Sequence, residues 1–195
     1  MLFRSTGGAG IAISAGSTAS TVRQVLRDKT AGELEQLGRQ KLAEMGVSAQ
    51  TINAFYGNPS LTPTDKAVIV AAMMTLGNVA GREIFIARMA QAQDYAEGFA
   101  YRRKAELTAA YHKKVSPVRA FINVGGTPLM QTGTGTVAII PMDYLYWSPQ
   151  LEGLIASAGR QGSLWMTGTA SKLATQNLAS RGWTVVPKAG AKLPN

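Results

Sequence analysis

Apolar positions in the first half of the chain recur at helical spacing. Val22, Val25 and Leu26 make a short amphipathic turn. Thr30 with Glu33 three positions on forms a capping box. Leu34, Leu37, Leu42 and Met45 follow on one helical face, and Gly46 offers a C′ position that ends the helix. Ser48 caps a second short helix carrying Ile52 and Phe55, which Gly57, Asn58 and Pro59 close. Thr62 precedes Pro63, the favoured proline position at a helix start. The run from Ala67 to Leu76 is apolar almost all round, which predicts a buried central helix. Gly77 and Asn78 punctuate it, and Ile84, Phe85, Ile86 and Met89 mark a further helix. From Asp94 a long helical segment runs through Tyr95, Phe99, Leu107 and Tyr111 to Lys114, where Ser116-Pro117 stops it. After a Gly/Ser/Thr-rich lead-in at 1–19, residues 20–115 therefore read as a helical module of five or six helices. No repeat of fixed period is present.

At Pro117 the composition changes, and β-branched and aromatic residues replace the Ala/Gln/Glu/Lys mixture. Val118 to Val124 reads as a strand, Gly125-Gly126 as a turn, and Leu129 to Thr132 as a second strand. Gly133-Thr134-Gly135 turns the chain into a third strand, Thr136 to Ile140. A helix begins at Pro149 with Leu151, Leu154 and Ile155 on its apolar face, and the segment from Gly159 to Gly162 closes it. Ser163 to Thr167 reads as a buried strand, Ala170 to Arg181 as a helix, and Trp183 to Val186 as a last strand. The expected class is α+β: an N-terminal helical module followed, over 117–190, by a small mixed β-sheet with two helices.

Composition narrows the chemistry. The chain has 195 residues, 46% of them hydrophobic, with 21 glycines and no cysteine. That excludes a collagen, a coiled-coil rod and a disulfide-stapled mini-protein. Without cysteine there is no thiol nucleophile, zinc ribbon or cysteine-held iron–sulfur cluster. The single histidine is His112, between Tyr111 and Lys113, and it has no metal-ligand neighbours. No metal site and no cofactor is expected.

The net charge is +9, divided between residues 1–115 at +5 and residues 116–195 at +4. This favours anionic partners in general. The densest basic group is Arg102, Arg103, Lys104, Lys113 and Lys114, opposed locally by Glu106. It reads either as a nucleic-acid or anionic-partner patch or as a solvated helix end. No stretch reaches the length of a membrane span. The N-terminal run around Ile11 and Ile13 is glycine-rich and departs from a secretory signal. Cytoplasm is the marginal preference, and export is the alternative if the natural chain extends upstream of Met1.

The sharpest local feature is the strand–loop–helix–strand unit from Leu164 to Val186. A loop entering a helix N-terminus offers amide groups to an anion, and Gly168, Thr169 and Ser171 are small enough to admit one. The alternative is that Ser171 caps the helix and Gly168 permits the turn. Gly168, Ser171, Ala174, Leu178, Gly182 and Trp183, with Ala189-Gly190 beyond, carry a spacing that resembles the active-site segment of rhodanese-like domains over residues 163–190. The resemblance implies a βαβ fold there. It does not imply sulfur transfer, because Trp165 stands at the position of the family's nucleophilic cysteine and Ala170 at that of its loop arginine.

The same segment resembles the opening of short-chain dehydrogenases, but Lys172 and Ala174 replace the glycines that admit a pyrophosphate. Gly133 to Ala138 matches a dinucleotide fingerprint by letters only, since it leads into a strand rather than a helix.

Ile140 to Pro149 is the most aromatic stretch. Asp143 could serve as an acid/base group beside Tyr144, Tyr146 and Trp147, of which Tyr146 and Trp147 are candidate ligand-stacking residues. The competing reading has Asp143 satisfying turn amides and the aromatics sealing a layer interface. Asp94 and Glu97 read as a solvated acidic first turn.

With no complete catalytic set, the sequence favours a non-catalytic binding or structural module, acting through protein–protein contacts or self-association, in which the helical half docks to the partner. The alternatives are a small-anion-binding protein or enzyme using the loop from Gly168 to Ser171, and nucleic-acid binding through the basic helix at 102–114.

Overall fold

The structure is a computed structural model and describes residues 28–193. The lead-in at 1–19 and the turn around Val22, Val25 and Leu26 lie outside these residues. Five helices come first: α1 (Ala31–Glu44), α2 (Ala49–Gly57), α3 (Pro63–Thr75), α4 (Arg82–Met89) and α5 (Tyr95–Lys114). Their starts are written in local chemistry. Thr30 accepts from the Glu33 amide while the Glu33 carboxylate accepts the Thr30 N–H, and Thr62 with Asp65 repeats the arrangement at α3. Ser48 and Asp94 cap α2 and α5 through their side chains.

The second half contains β1 (Val118–Val124), β2 (Thr127–Thr132), β3 (Gly135–Ile140), β4 (Tyr144–Leu145), α6 (Pro149–Ala158), β5 (Gly162–Met166), β6 (Thr169–Ala170), α7 (Lys172–Ser180), β7 (Trp183–Val186) and α8 (Ala189–Lys192). The main sheet has the order β1-β2-β3-β5-β7. The first three strands form an antiparallel meander, and β3, β5 and β7 run parallel, joined by α6 and α7. The fold is α+β with a mixed five-stranded sheet. Three elements depart from the expected order. β4 and β6 pair as a separate two-stranded parallel sheet, and α8 follows the last strand.

Strand alternation divides the core into two layers. Met130, Val137 and Ile139 face the helices α1–α5, together with Val118 and Phe121. A bulge between Val118 and Ala120 lets those two residues share a face despite their odd spacing. Leu129, Ala138, Leu164, Met166 and Trp183 face the other way, onto Leu151 and Ile155 of α6 and Leu178 of α7. Thus α4 and α5 lie directly on the sheet, with α1–α3 behind them.

The apolar face of the helical half is buried against the chain's own sheet. The C-terminal boundary moves, because Ala189 and Leu193 are buried in the helical-side core. β1 is shielded at its outer edge. The Ala80 N–H donates to Arg119 O at 3.2 Å, and the Phe121 N–H donates to Ala80 O at 2.9 Å.

Candidate functional site

Parallel strands β3, β5 and β7 end at Ile140, Met166 and Val186, and the loops that leave them meet at one end of the sheet. Open α/β sheets place their ligands at this end. The loop residues Gly168, Thr169 and Ser171 and the segment from Asp143 to Tyr146 meet there. The loops clasp each other through the backbone. Gly168 N–H donates to Met142 O at 2.9 Å, Thr169 N–H to Asp143 O at 2.9 Å, and Ser171 N–H to Leu145 O at 2.8 Å. Thr167 Oγ1 also donates to Met142 O at 3.0 Å. Lys188, held at φ 56°, donates its N–H to Gly168 O at 3.1 Å. Gly168 is required by this approach, since a Cβ there would lie 1.7 Å from Asp143 O.

The anion-cradle expectation for Gly168, Thr169 and Ser171 is therefore corrected. The amides of those three residues are spent on carbonyls of the 142–145 segment, and the Ser171 hydroxyl accepts from Ala174 N as an N-cap. The signal missed was the two-residue ladder of β4 with β6, too short to leave any periodicity.

Asp143 is exposed on the surface, which is not the secluded setting of an acid/base group. Tyr144 and Tyr146 are 58% and 66% exposed, so they do not seal a layer interface. Trp147 is half-buried, with the Arg181 guanidinium 4.7 Å from its ring centre. Trp165, at the rhodanese nucleophile position, lies edge-on to Tyr111 of α5 at 5.3 Å and so faces the helical layer rather than the loop.

The basic group is also dispersed. Arg102 pairs with Asp65 at 3.4 Å and with Glu106 at 3.2 Å, and Arg103 pairs with the same Glu106 at 3.1 Å. Lys104 is buried, 8% exposed, and donates to Pro128 O in β2 at 3.2 Å. Burial, with the charge of Arg88 adding to it, pushes its ammonium down to about 8. Only Lys113 and Lys114 stand exposed on that stretch. The sequence did hold the signal for Lys104, which shares a helical face with Tyr101, Thr108 and Tyr111 at i−3, i+4 and i+7.

His112 serves as a structural acceptor: its Nδ1 takes the Val118 N–H at 3.1 Å, and burial, then Lys113, lowers its pKa.

Two further surfaces stand apart from the strand ends. A groove of about 510 Å3 lies where α6 and α7 end, lined by Ile155, Gly159, Arg160, Ser180, Arg181 and Gly182. Its Arg181 is occupied by Glu152 and Asn177. On α5, Tyr95 and Phe99 are exposed at i, i+4, and Arg102 lies 5.8 Å from the Phe99 ring centre. Among the described residues no cluster of His, Asp or Glu could hold a metal ion, and no helix is long and apolar enough to cross a membrane.

What remains at the strand ends is a run of exposed apolar side chains on a hydrogen-bonded frame. Met142 is 39% exposed and Leu173 57%, alongside the two tyrosines, while Leu145 between those tyrosines is buried. The chain matches no known family, no curated protein and no solved structure.

Proposed function

We propose that this chain is a non-catalytic binding module that engages a protein partner through the face built from Met142, Tyr144, Tyr146 and Leu173. The observation that carries the reading is the exposure of these large side chains on a backbone that is itself bonded in place. Contiguous exposed apolar surface is costly in water and marks interaction sites. Tyrosine and methionine are the residue types enriched in such contacts. A frame locked by the bonds at Gly168, Thr169 and Ser171 holds the rings without an ordering cost at the moment of binding. The dispersal of the basic group and the use of the loop amides favour this reading over the anion and nucleic-acid alternatives.

The test is quantitative affinity capture by the full chain beside its Tyr144→Ser/Tyr146→Ser variant, with matched circular dichroism and with self-association followed by sedimentation. The expected result is a protein contact, to another protein or a second copy, that the variant loses. An unchanged captured set together with unchanged sedimentation overturns the reading.

A further inference from the structure

We propose that the partner binds by strand addition, as an extended acidic segment laid along the open edge of β4. The inference rests on the protein-binding reading of this face and supplies its mode. The register of β4 with β6 carries the argument. Tyr144 is paired with Thr169 and Leu145 with Ala170, and the carbonyls that accept from β6 and the α7 cap belong to Asp143 and Leu145. Backbone groups alternate sides along a strand, so the N–H and C=O of Tyr144 point away from β6. No other described strand lies on that side, because β4 and β6 form a sheet of two. The main-chain groups of Tyr146 likewise have no backbone partner among the described residues.

An open strand edge is a template for pairing, and proteins that do not use one cover it. Ala80 covers the edge of β1, whereas no described strand or backbone bond covers the outer edge of β4. β7 also has a single neighbour, yet no large exposed side chain stands on it. At β4 the exposed rings of Tyr144 and Tyr146 are two residues apart, roughly 7 Å along the strand, which matches the repeat of side chains on one face of an added strand.

Charge selects the occupant. Exposed Lys172 follows Ser171, whose N–H is bonded to Leu145, and exposed Lys188 is bonded through its N–H to Gly168. Asp143 is the one acid on the clasp. Both lysines lie on the β6 side of β4, and at a chain charge of +9 a second copy is repelled as a whole, whereas an acidic segment is attracted.

Main-chain pairing tolerates sequence, so a generic probe suffices. The isotopically labelled full chain is titrated with the peptide Ac-(Glu-Val)4-NH2, with its lysine counterpart Ac-(Lys-Val)4-NH2, and with a single-stranded oligonucleotide, at low and moderate salt. The expected result is saturable amide shifts and slowed hydrogen exchange at Tyr144 and Tyr146 with the acidic peptide. Binding should weaken about tenfold for the lysine peptide and for the Lys172→Glu variant, and be abolished by N-methylation of alternate peptide residues.

No saturable change at those amides up to millimolar peptide, an equal response to both peptides, or the same footprint from the oligonucleotide overturns the proposal. If the peptides leave these amides unmoved while Tyr144→Ser/Tyr146→Ser still loses a protein contact, strand addition fails and the protein-binding reading stands. If neither responds, both fall.

Discussion

The ammonium of Lys104 on α5 reaches the carbonyl of Pro128 on β2 at 3.2 Å, within a seam of side chains that joins the helical layer to the sheet. None of the ion pairs among the described residues involves this lysine. A cation with one carbonyl partner is a costly way to close a core.

Lys104 gives the protein an alkaline stability profile. Its folded pKa of about 8 lies below the ordinary 10.5, so between those values the unfolded chain binds more protons and stability rises with pH. Below about 8 the full penalty is present. Lys104→Met is expected to be as stable as the parent or more so at pH 7, by about 1–3 kcal/mol, and to lose the rise between pH 8 and 10. Thermal melts of both proteins across that range check it.

His112 gives the opposite flank. Its pKa in the fold is held below the ordinary 6.5 by burial and by Lys113, and its Nδ1 accepts the Val118 N–H where α5 turns into β1. The contribution is complete above 6.5 and is lost as pH falls through the folded pKa. His112→Asn, which keeps an acceptor in reach, is expected to flatten this loss. His112→Leu should cost about 0.5–1.5 kcal/mol at pH 7. Denaturant titrations at pH 7.5 and pH 5 distinguish the two.

Glu83 ties α4 to the start of α2. Its carboxylate accepts from the Ser48 N–H at 2.6 Å, from Ser48 Oγ at 2.7 Å and from Thr51 Oγ1 at 2.5 Å. Burial raises its pKa, but the bonds from Thr51 and Ser48 outweigh that and the net shift is downward. Its contribution is therefore present above the ordinary carboxylate value and is lost as pH falls through the folded one. Glu83→Gln turns an amide N–H2 toward these donors and is expected to cost about 1–2 kcal/mol at pH 7, read as a lower urea midpoint.

Gly168 is the tightest point of the clasp at the strand ends. Gly168→Ala places a methyl against the Asp143 carbonyl and should destabilise by about 2–3 kcal/mol. Faster hydrogen exchange at the Thr169 and Ser171 amides would show that the loss arises from release of the 142–145 segment. Protection equal to that of the parent would show that the clasp stays closed and that the loss arises elsewhere.

Much of the architecture is legible in the chain. Caps at Thr30, Ser48, Thr62, Asp94 and Ser148 act within three or four residues, so each can be read without knowing the fold. The β-branched and apolar runs at 118–124 and 135–140 mark strands, and they are nearly continuous because the sheet buries both of its faces here. The candidate site was legible in location only. The sequence brings Gly168, Ser171, Tyr144 and Tyr146 forward as unusual, but the bonds that decide their use join residues about 25 positions apart. A ladder of two residues leaves no period to detect.

Lys104 shows the same division from the other side. Helical spacing puts it on the face of Tyr101 and Tyr111, but a lysine on such a face normally escapes along its own stem to water. Only the packing of β2 across α5 closes that route and turns a surface cation into a buried one. Local sequence determined the helices and the strands of the main sheet, the α+β class and the absence of thiol chemistry, because those depend on short-range caps, period and composition. The tertiary structure alone decided which amides are spent, which charges are paired and which strand edge stays open, because each depends on a partner distant in sequence and brought within 3 Å by folding.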